Sequence, residues 1–165
     1  MPTPEELNRT GLEAYKAGDL TRAIEAWEAA IAAHPGHAPG LINLSLAYVK
    51  KGRPDDAIRA AQKAVEVTPK HGASRHQLGN ALAAKGRWNE AVTEYLRAFE
   101  LDPTQLTSLA NAGVQLLDHG MEAKALEVMN RFLAAAPADH PRRQDIEGQV
   151  AAQTKMKRTV SRFDF

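Results

Sequence analysis

The sequence contains no cysteine, which excludes disulfide bonds and thiolate chemistry and leaves the redox compartment open. Strong charge of one sign is also lacking: the 165 residues carry a net charge of +1, so no nucleic-acid partner is indicated. No apolar run approaches the roughly 18 residues that a membrane span needs. Because Met1–Glu6 has neither a basic nor an apolar run, we expect no signal peptide. We therefore expect a single-domain cytoplasmic protein without a membrane span.

Sequence motifs for catalysis or metal binding are missing too. The chain has no phosphate-binding glycine loop and no nucleophile elbow around its scattered serines. Glu90 and Glu94, one helical turn apart, are interpreted as a solvent-exposed face. His34 and His37 form an H-x-x-H, with His71 at the position equivalent to His37. Packed helices lie ~8–10 Å apart whereas zinc ligands lie ~2 Å from the metal, so we predict that these histidines lie in loops and bind no metal. Because the motifs for phosphate binding and nucleophilic catalysis are missing as well, we expect no cofactor and no enzymatic activity.

Three residue types recur with a fixed period of 34 residues. The recurring positions are Gly18, Gly52, Gly86 and Gly120; Ala23, Ala57, Ala91 and Ala125; and Pro35, Pro69, Pro103 and Pro137. Apolar residues have helical spacing on both sides of each glycine, for example Leu78 and Leu82 before Gly86 and Tyr95 and Phe99 after it. Because neither helix can bury its apolar face alone, each pair is predicted to form an antiparallel hairpin.

A period of 34 residues with two helices per copy resembles the tetratricopeptide (TPR) repeat over roughly nine-tenths of the chain. A small-residue series and a bulky series fit the family pattern in part: Gly11, Ser45, Gly79 and Gly113, and Trp27, Ala61, Tyr95 and Met129. The resemblance implies an all-α fold, a right-handed α-solenoid of four helix-turn-helix repeats. We place these repeats within residues 1–139, at approximately 4–37, 38–71, 72–105 and 106–139, followed by a C-terminal capping helix and a basic, aromatic tail in 140–165.

Helix starts are indicated by capping residues. Thr3–Glu6 has the form of a capping box with proline at the first helical position. The predicted N-caps of the second helices in the first three repeats are Thr21, Asp55 and Asn89. The capping helix is predicted to begin after Asp139 or His140, with Ile146 and Val150 as its apolar contacts.

The first helix of each repeat carries a second stripe, offset from the stripe that faces its partner helix. Its members are Asn8, Leu12 and Tyr15; Ile42, Leu46 and Val49; His76, Asn80 and Ala83; and Ala110, Val114 and Leu117. About half of this surface is expected to pack between adjacent first helices, because stacked repeats bury a continuous core. The remainder is predicted to line the concave side of the stack.

Amide side chains follow the same line. Asn43, Gln77 and Asn111 are spaced 34 residues apart, and Asn80 lies one turn beyond Gln77. Because an amide offers donors and an acceptor, such a column can pair with the main chain of an extended peptide. A solvated polar strip on an exposed face explains the pattern equally well, so both interpretations stay open.

The family resemblance implies a protein-interaction scaffold whose concave face takes a peptide or a partner helix. One TPR subgroup binds the C-terminal carboxylate of heat-shock chaperones with lysines, asparagines and an arginine. The corresponding positions are Asn8, Leu12, Asn43, Ala73 and Gln77 counted from the first repeat, and Ile42, Leu46, Gln77, Thr107 and Asn111 counted from the second. Only Asn43 agrees and the cations are missing, so we predict that the chain is not a chaperone carboxylate clamp.

The expected function is therefore non-catalytic protein binding in the concave groove, as adaptor, scaffold or assembly factor. The alternative is a self-assembling homo-oligomer in which Phe163 and Phe165 of the tail insert into a neighbour's groove. The tail can instead fold back on its own last helices. Weak docking on an anionic membrane is the third interpretation, and it depends only on the basic residues Lys155, Lys157, Arg158 and Arg162.

Overall fold

The structure, a computed structural model, describes residues 2–160, with side chains as far as Met156. Within this range the chain forms nine α-helices and no strand. They are α1 (Pro4–Lys16), α2 (Leu20–Ala33), α3 (Ala38–Lys50), α4 (Pro54–Val67), α5 (Gly72–Ala84), α6 (Trp88–Leu101), α7 (Leu106–Asp118), α8 (Glu122–Ala135) and α9 (Arg143–Val160). Consecutive helices pack as four hairpins that stack in chain order, with α9 on α8. The predicted all-α solenoid is confirmed.

Each hairpin turns at the predicted glycine. Gly18, Gly52, Gly86 and Gly120 have φ values of 83°, 71°, 81° and 73°, a left-handed conformation that side chains with a Cβ disfavour. In the third repeat the Gly86 amide donates to Ala83 and the Arg87 amide donates to Leu82. This pair of bonds satisfies carbonyls that the end of α5 would otherwise leave without partners.

The capping predictions are right for α1 and wrong for the later helices. Thr3 accepts a hydrogen bond from the Glu6 amide and forms the full capping box. The second helices of the first three repeats each begin one residue before the predicted cap, and Asp19, not Thr21, caps α2. Asp55 and Asn89 lie in the first turn of α4 and α6. The cause is the glycine turn, which leaves room for only one residue before the next helix begins.

The two helices of a hairpin approach closely because a small residue on the first faces a bulky residue on the second. A Cβ added at Gly79 would lie 2.6 Å from the Tyr95 ring, and one added at Gly113 would lie 2.7 Å from Met129. The second repeat replaces this pair by Ser45 and the fully buried Ala61. There the Ser45 hydroxyl donates to the Ala57 carbonyl at 2.9 Å and is itself buried.

The third repeat departs from this apolar packing at one partly buried ion pair. Glu94, predicted to be solvent-exposed, has a side chain only 12% exposed and accepts a hydrogen bond from the Arg75 guanidinium at 2.9 Å. Arg75 occupies the position of Leu41 and Leu109 in the neighbouring repeats. The periodicity itself contained this signal, because a charged residue at a core position requires a charged partner nearby.

The last helix closes the end of the stack. Ile146 is fully buried against the core and Val150 is partly buried, as predicted. Helix α9 begins at Arg143, a few residues later than expected. Arg143 donates to the carbonyls of Leu133 and Ala136 at 3.0 and 2.6 Å, and so satisfies acceptors at the end of α8.

Candidate functional site

The first helices α1, α3, α5 and α7 form one side of the stack. Helix α1 contacts α3 and α3 contacts α5 directly, whereas contacts between α5 and α7, and between consecutive second helices, are much sparser in the described part of the chain. We call the surface formed by the first helices the concave surface, after the shape that the resemblance to TPR solenoids implies. It carries the residues that the sequence predicts as a groove.

The predicted apolar stripe lies half in the core and half at the surface. Leu12, Tyr15, Val49, Val114 and Leu117 are partly buried and pack against the core. Ile42 and Leu46 are also intermediate in exposure. These side chains therefore support the stacking of repeats with one side and leave the other side open.

The amides of the first two repeats contact each other. Asn43 Nδ2 donates to Asn8 Oδ1 at 3.0 Å, which joins α3 to α1. The backbone carbonyl of Asn8 accepts a bond from the Trp27 indole at 3.2 Å. Beside them, the Lys50 ammonium lies 4.4 Å from the centroid of the Tyr15 ring. The carbonyl oxygen of Asn43 has no partner among the described residues.

The third repeat contributes a continuous chain of polar contacts. Gln77 is only 4% exposed, and its Nε2 donates to Ser45 Oγ at 3.2 Å. Asn80 Nδ2 donates to Gln77 Oε1 at 3.3 Å, and the Tyr95 hydroxyl donates to Asn80 Oδ1 at 2.8 Å. Gln77 therefore lies beneath the concave surface, where it joins the second repeat to the third.

Polar contacts continue to the end of the stack. Burial raises the pKa of Tyr95 to about 12, and the Asn111 side chain opposes the increase. Asn111 Oδ1 accepts a bond from the Arg142 guanidinium at 3.0 Å. The hydrogen bonds thus run from Ser45 in α3 to Tyr95 in α6, and a separate bond joins Asn111 in α7 to Arg142 before α9.

His76 connects two first helices on this surface. Its Nδ1 lies 2.6 Å from Ser108 Oγ of the next repeat, and its ring centroid lies 5.7 Å from that of Tyr95. Burial lowers the pKa of His76 from its ordinary value of 6.5. His76 therefore joins α5 to α7 as a neutral side chain at neutral pH.

Three residues of this network were not among the predicted site residues: Ser45, Tyr95 and Arg142. Ser45 and Tyr95 belong to the small and bulky series, so their positions were predicted but their polar contacts were not. Arg142 has no equivalent in the repeats, and no periodic signal points to it. Phe163 and Phe165, the predicted tail contacts, lie outside the described residues.

The loop histidines serve helix starts. His37 accepts a bond from the Gly40 amide at the start of α3, and His71 contacts Ser74 at the start of α5. Among the described residues, no group of three His, Asp or Glu side chains is placed to hold a metal. Over the same range, no helix is long and apolar enough to cross a membrane.

Comparison with known proteins supports the repeat assignment. The family model described as "Tetratricopeptide repeat" matches residues 8–71, 42–105 and 76–140, which together cover most of the chain. No curated protein matches the sequence significantly.

Several solved structures share the fold. PilF of Pseudomonas aeruginosa is 20% identical with a TM-score of 0.82, and the match covers 94% of this chain and 69% of that one. MamA of Desulfovibrio magneticus RS-1, from residue 41 to its end, is 18% identical with a TM-score of 0.73, covering 80% and 75%. The second TPR domain of Spaghetti (RPAP3), solved with the HSP90 peptide SRMEEVD, is 24% identical with a TM-score of 0.58, covering 61% and 93%. At these identities the likeness concerns the fold alone.

Proposed function

Because the chain belongs to the tetratricopeptide repeat family, we propose that it is a non-catalytic protein-interaction module that binds a polypeptide segment or a helix on its concave surface. The half-buried apolar stripe of the first helices carries this proposal. Side chains such as Val114 and Leu117 pack against the core and still present apolar area to solvent, and Leu46 is likewise only partly buried. Covering that area with an apolar partner is favourable by about 25 cal/mol per Å².

The amides have two roles in this proposal. Gln77 and Asn80 hold neighbouring first helices in register through their mutual bonds. Asn43 keeps its carbonyl oxygen for a ligand, and one main-chain bond to it would contribute about 0.5–1.5 kcal/mol. Affinity is therefore expected to come mainly from the apolar stripe, with Asn43 fixing the direction of the bound segment.

The chemistry of the bound segment is inferred from the absence of cationic residues at the positions that correspond to a carboxylate clamp. The solved Spaghetti domain is described with an HSP90 peptide, and binding of a terminal carboxylate needs positively charged groups. The corresponding positions here include Leu12 and Ala73. We therefore propose a segment recognised by its apolar side chains, with no requirement for a free carboxylate.

Affinity capture with variant proteins tests this function. The variant Leu46→Gln with Leu117→Gln makes the concave surface polar, and Leu101→Gln on the second helix α6, where the leucine is already exposed, is the matched control. We expect partners from the host lysate to bind the wild type and the control but not the concave variant, with all three equally helical by circular dichroism. Partners retained by the concave variant would contradict the proposal.

A further inference from the structure

An apolar groove also lies on the opposite side of the stack, between α6 and α8. It encloses a cavity of about 230 Å³. Its apolar lining, which we call the outer groove, consists of Trp88, Val92, Leu96, Leu116, Met121 and Val128. Met121 is 41% exposed, and Leu96 is partly exposed. Trp88 is held by stacking on His119, with ring centroids 4.4 Å apart.

The repeats act as internal controls for this groove. The positions equivalent to Leu96 are Glu28, Gln62 and Asn130, and those equivalent to Met121 are Asp19, Arg53 and Arg87. All six are polar. Between the first and second repeats the Tyr48 hydroxyl donates to Glu28 at 2.5 Å, and Arg53 lies 4.5 Å from the Tyr48 ring centroid. Polar residues at these positions therefore suffice for stacking. The apolar pair Leu96 and Met121, between the third and fourth repeats, needs another explanation.

The charges around the outer groove indicate what it binds. Lys124 and Arg131 line its α8 wall, and neither forms an ion pair within the described part of the chain. Glu127 lies between them on the same wall, so the wall has a net positive charge. An occupant with apolar side chains beside a carboxylate matches both the lining and the wall.

The chain itself contains such a segment. We propose that Phe163–Phe165 of a second copy docks in the outer groove, with its two phenylalanines against the apolar lining and Asp164 toward Lys124 and Arg131. Two of the four phenylalanines of the chain lie in this segment, on either side of the carboxylate. A cavity of about 230 Å³ suits side chains from an extended segment rather than a whole helix.

The course of α9 favours a second copy over the same chain. Beyond Val150 the helix has ten further residues, which extend about 15 Å. The side chains of Lys155 and Met156 in this part are exposed, and Met156 is 60% exposed. About 15 Å of helix therefore separates the segment from Val150, the last residue of α9 that packs against the core. Because groove and segment are different surfaces, repeated docking would build open chains or rings of copies.

Sedimentation over a concentration series tests the proposal with the full-length chain. We expect the wild type to grow in mass with concentration. Phe163→Ser with Phe165→Ser, and separately Leu96→Gln, should each weaken association by about tenfold or more, because each loses the burial of a large apolar side chain. Leu101→Gln is the matched control, since Leu101 is 42% exposed and lies outside the groove lining; it should associate like the wild type.

Mixing the two variants gives a sharper result. The tail variant keeps its groove and the Leu96→Gln variant keeps its tail, so an equimolar mixture should form pairs and nothing larger. Docking should also shift the emission of Trp88, because the other tryptophan, Trp27, is fully buried in the first repeat. The concave variant Leu46→Gln with Leu117→Gln should associate normally, which separates this proposal from the proposed function.

Three results would overturn the proposal. The first is a wild type that stays monomeric at every concentration. The second is association that persists unchanged in the tail and groove variants. The third is a change in Trp88 emission between wild type and tail variant at a constant monomer mass, because the segment would then dock in its own chain.

Discussion

At the level of single residues, the glycine of the first helix determines how closely the hairpin can pack. Gly79 lies against Tyr95, and an added Cβ would lie 2.6 Å from the ring. We expect Gly79→Ala to lower the free energy of unfolding by about 1–3 kcal/mol, because the ring must shift within a packed core. Urea denaturation measures this change.

Gly148 provides the control for that experiment. It lies in α9 with no atom within 4 Å of an added Cβ. Gly148→Ala should raise stability by about 0.5–1 kcal/mol, because alanine is the better helix former. Equal losses in both variants would show that the close approach of Gly79 to Tyr95 is not what limits stability.

A second prediction at the level of single residues concerns the contribution of the Arg75–Glu94 ion pair to stability. Removing one partner of this partly buried pair leaves an uncompensated charge, so Glu94→Ala should cost about 1–3 kcal/mol, less than the loss expected for a fully buried pair. The double variant Arg75→Leu with Glu94→Ala gives the third repeat the Leu–Ala pair that the second repeat has at Leu41 and Ala60. It should recover most of the loss in urea denaturation; a double variant as unstable as the single one would contradict the compensation.

The same pair shows what the sequence could and could not predict. The period of 34 residues placed the helices and their turning glycines, because both follow local rules. It also aligned Arg75 with core leucines, but a charge on a helix is ordinarily solvent-exposed, so Glu94 was assigned to the surface. The bonds of Gln77 and Asn80 depend on side-chain conformations across repeats, which periodicity does not specify.

At the scale of the helix, α9 stabilises the last repeat more than the first. Ile146 is fully buried, and Ile146→Ala should cost about 2–5 kcal/mol. Because repeats contact only their neighbours, hydrogen exchange should accelerate in α7 and α8 more than in α1 and α2.

Met156→Ala is the control for this element, since Met156 is 60% exposed and its loss should change stability by no more than about 0.5 kcal/mol. Uniform acceleration of exchange along the whole chain in Ile146→Ala would indicate that the repeats unfold as a single unit.

At the scale of the whole molecule, side-chain bonds connect the repeats beneath the concave surface. One set passes from Ser45 through Gln77 and Asn80 to Tyr95, and a second joins Asn111 to Arg142. They fix the spacing of the first helices, on which a bound segment would lie. A rigid surface costs less entropy on binding than a mobile one, which favours recognition on this side.

Binding on the concave surface is tested by a hydrogen-exchange footprint of the full-length chain with and without a partner captured by the wild type. We predict slower exchange in α1, α3, α5 and α7 when the partner is bound, with α2 and α4 unchanged. Slower exchange confined to the second helices, with the first helices unaffected, would contradict this prediction.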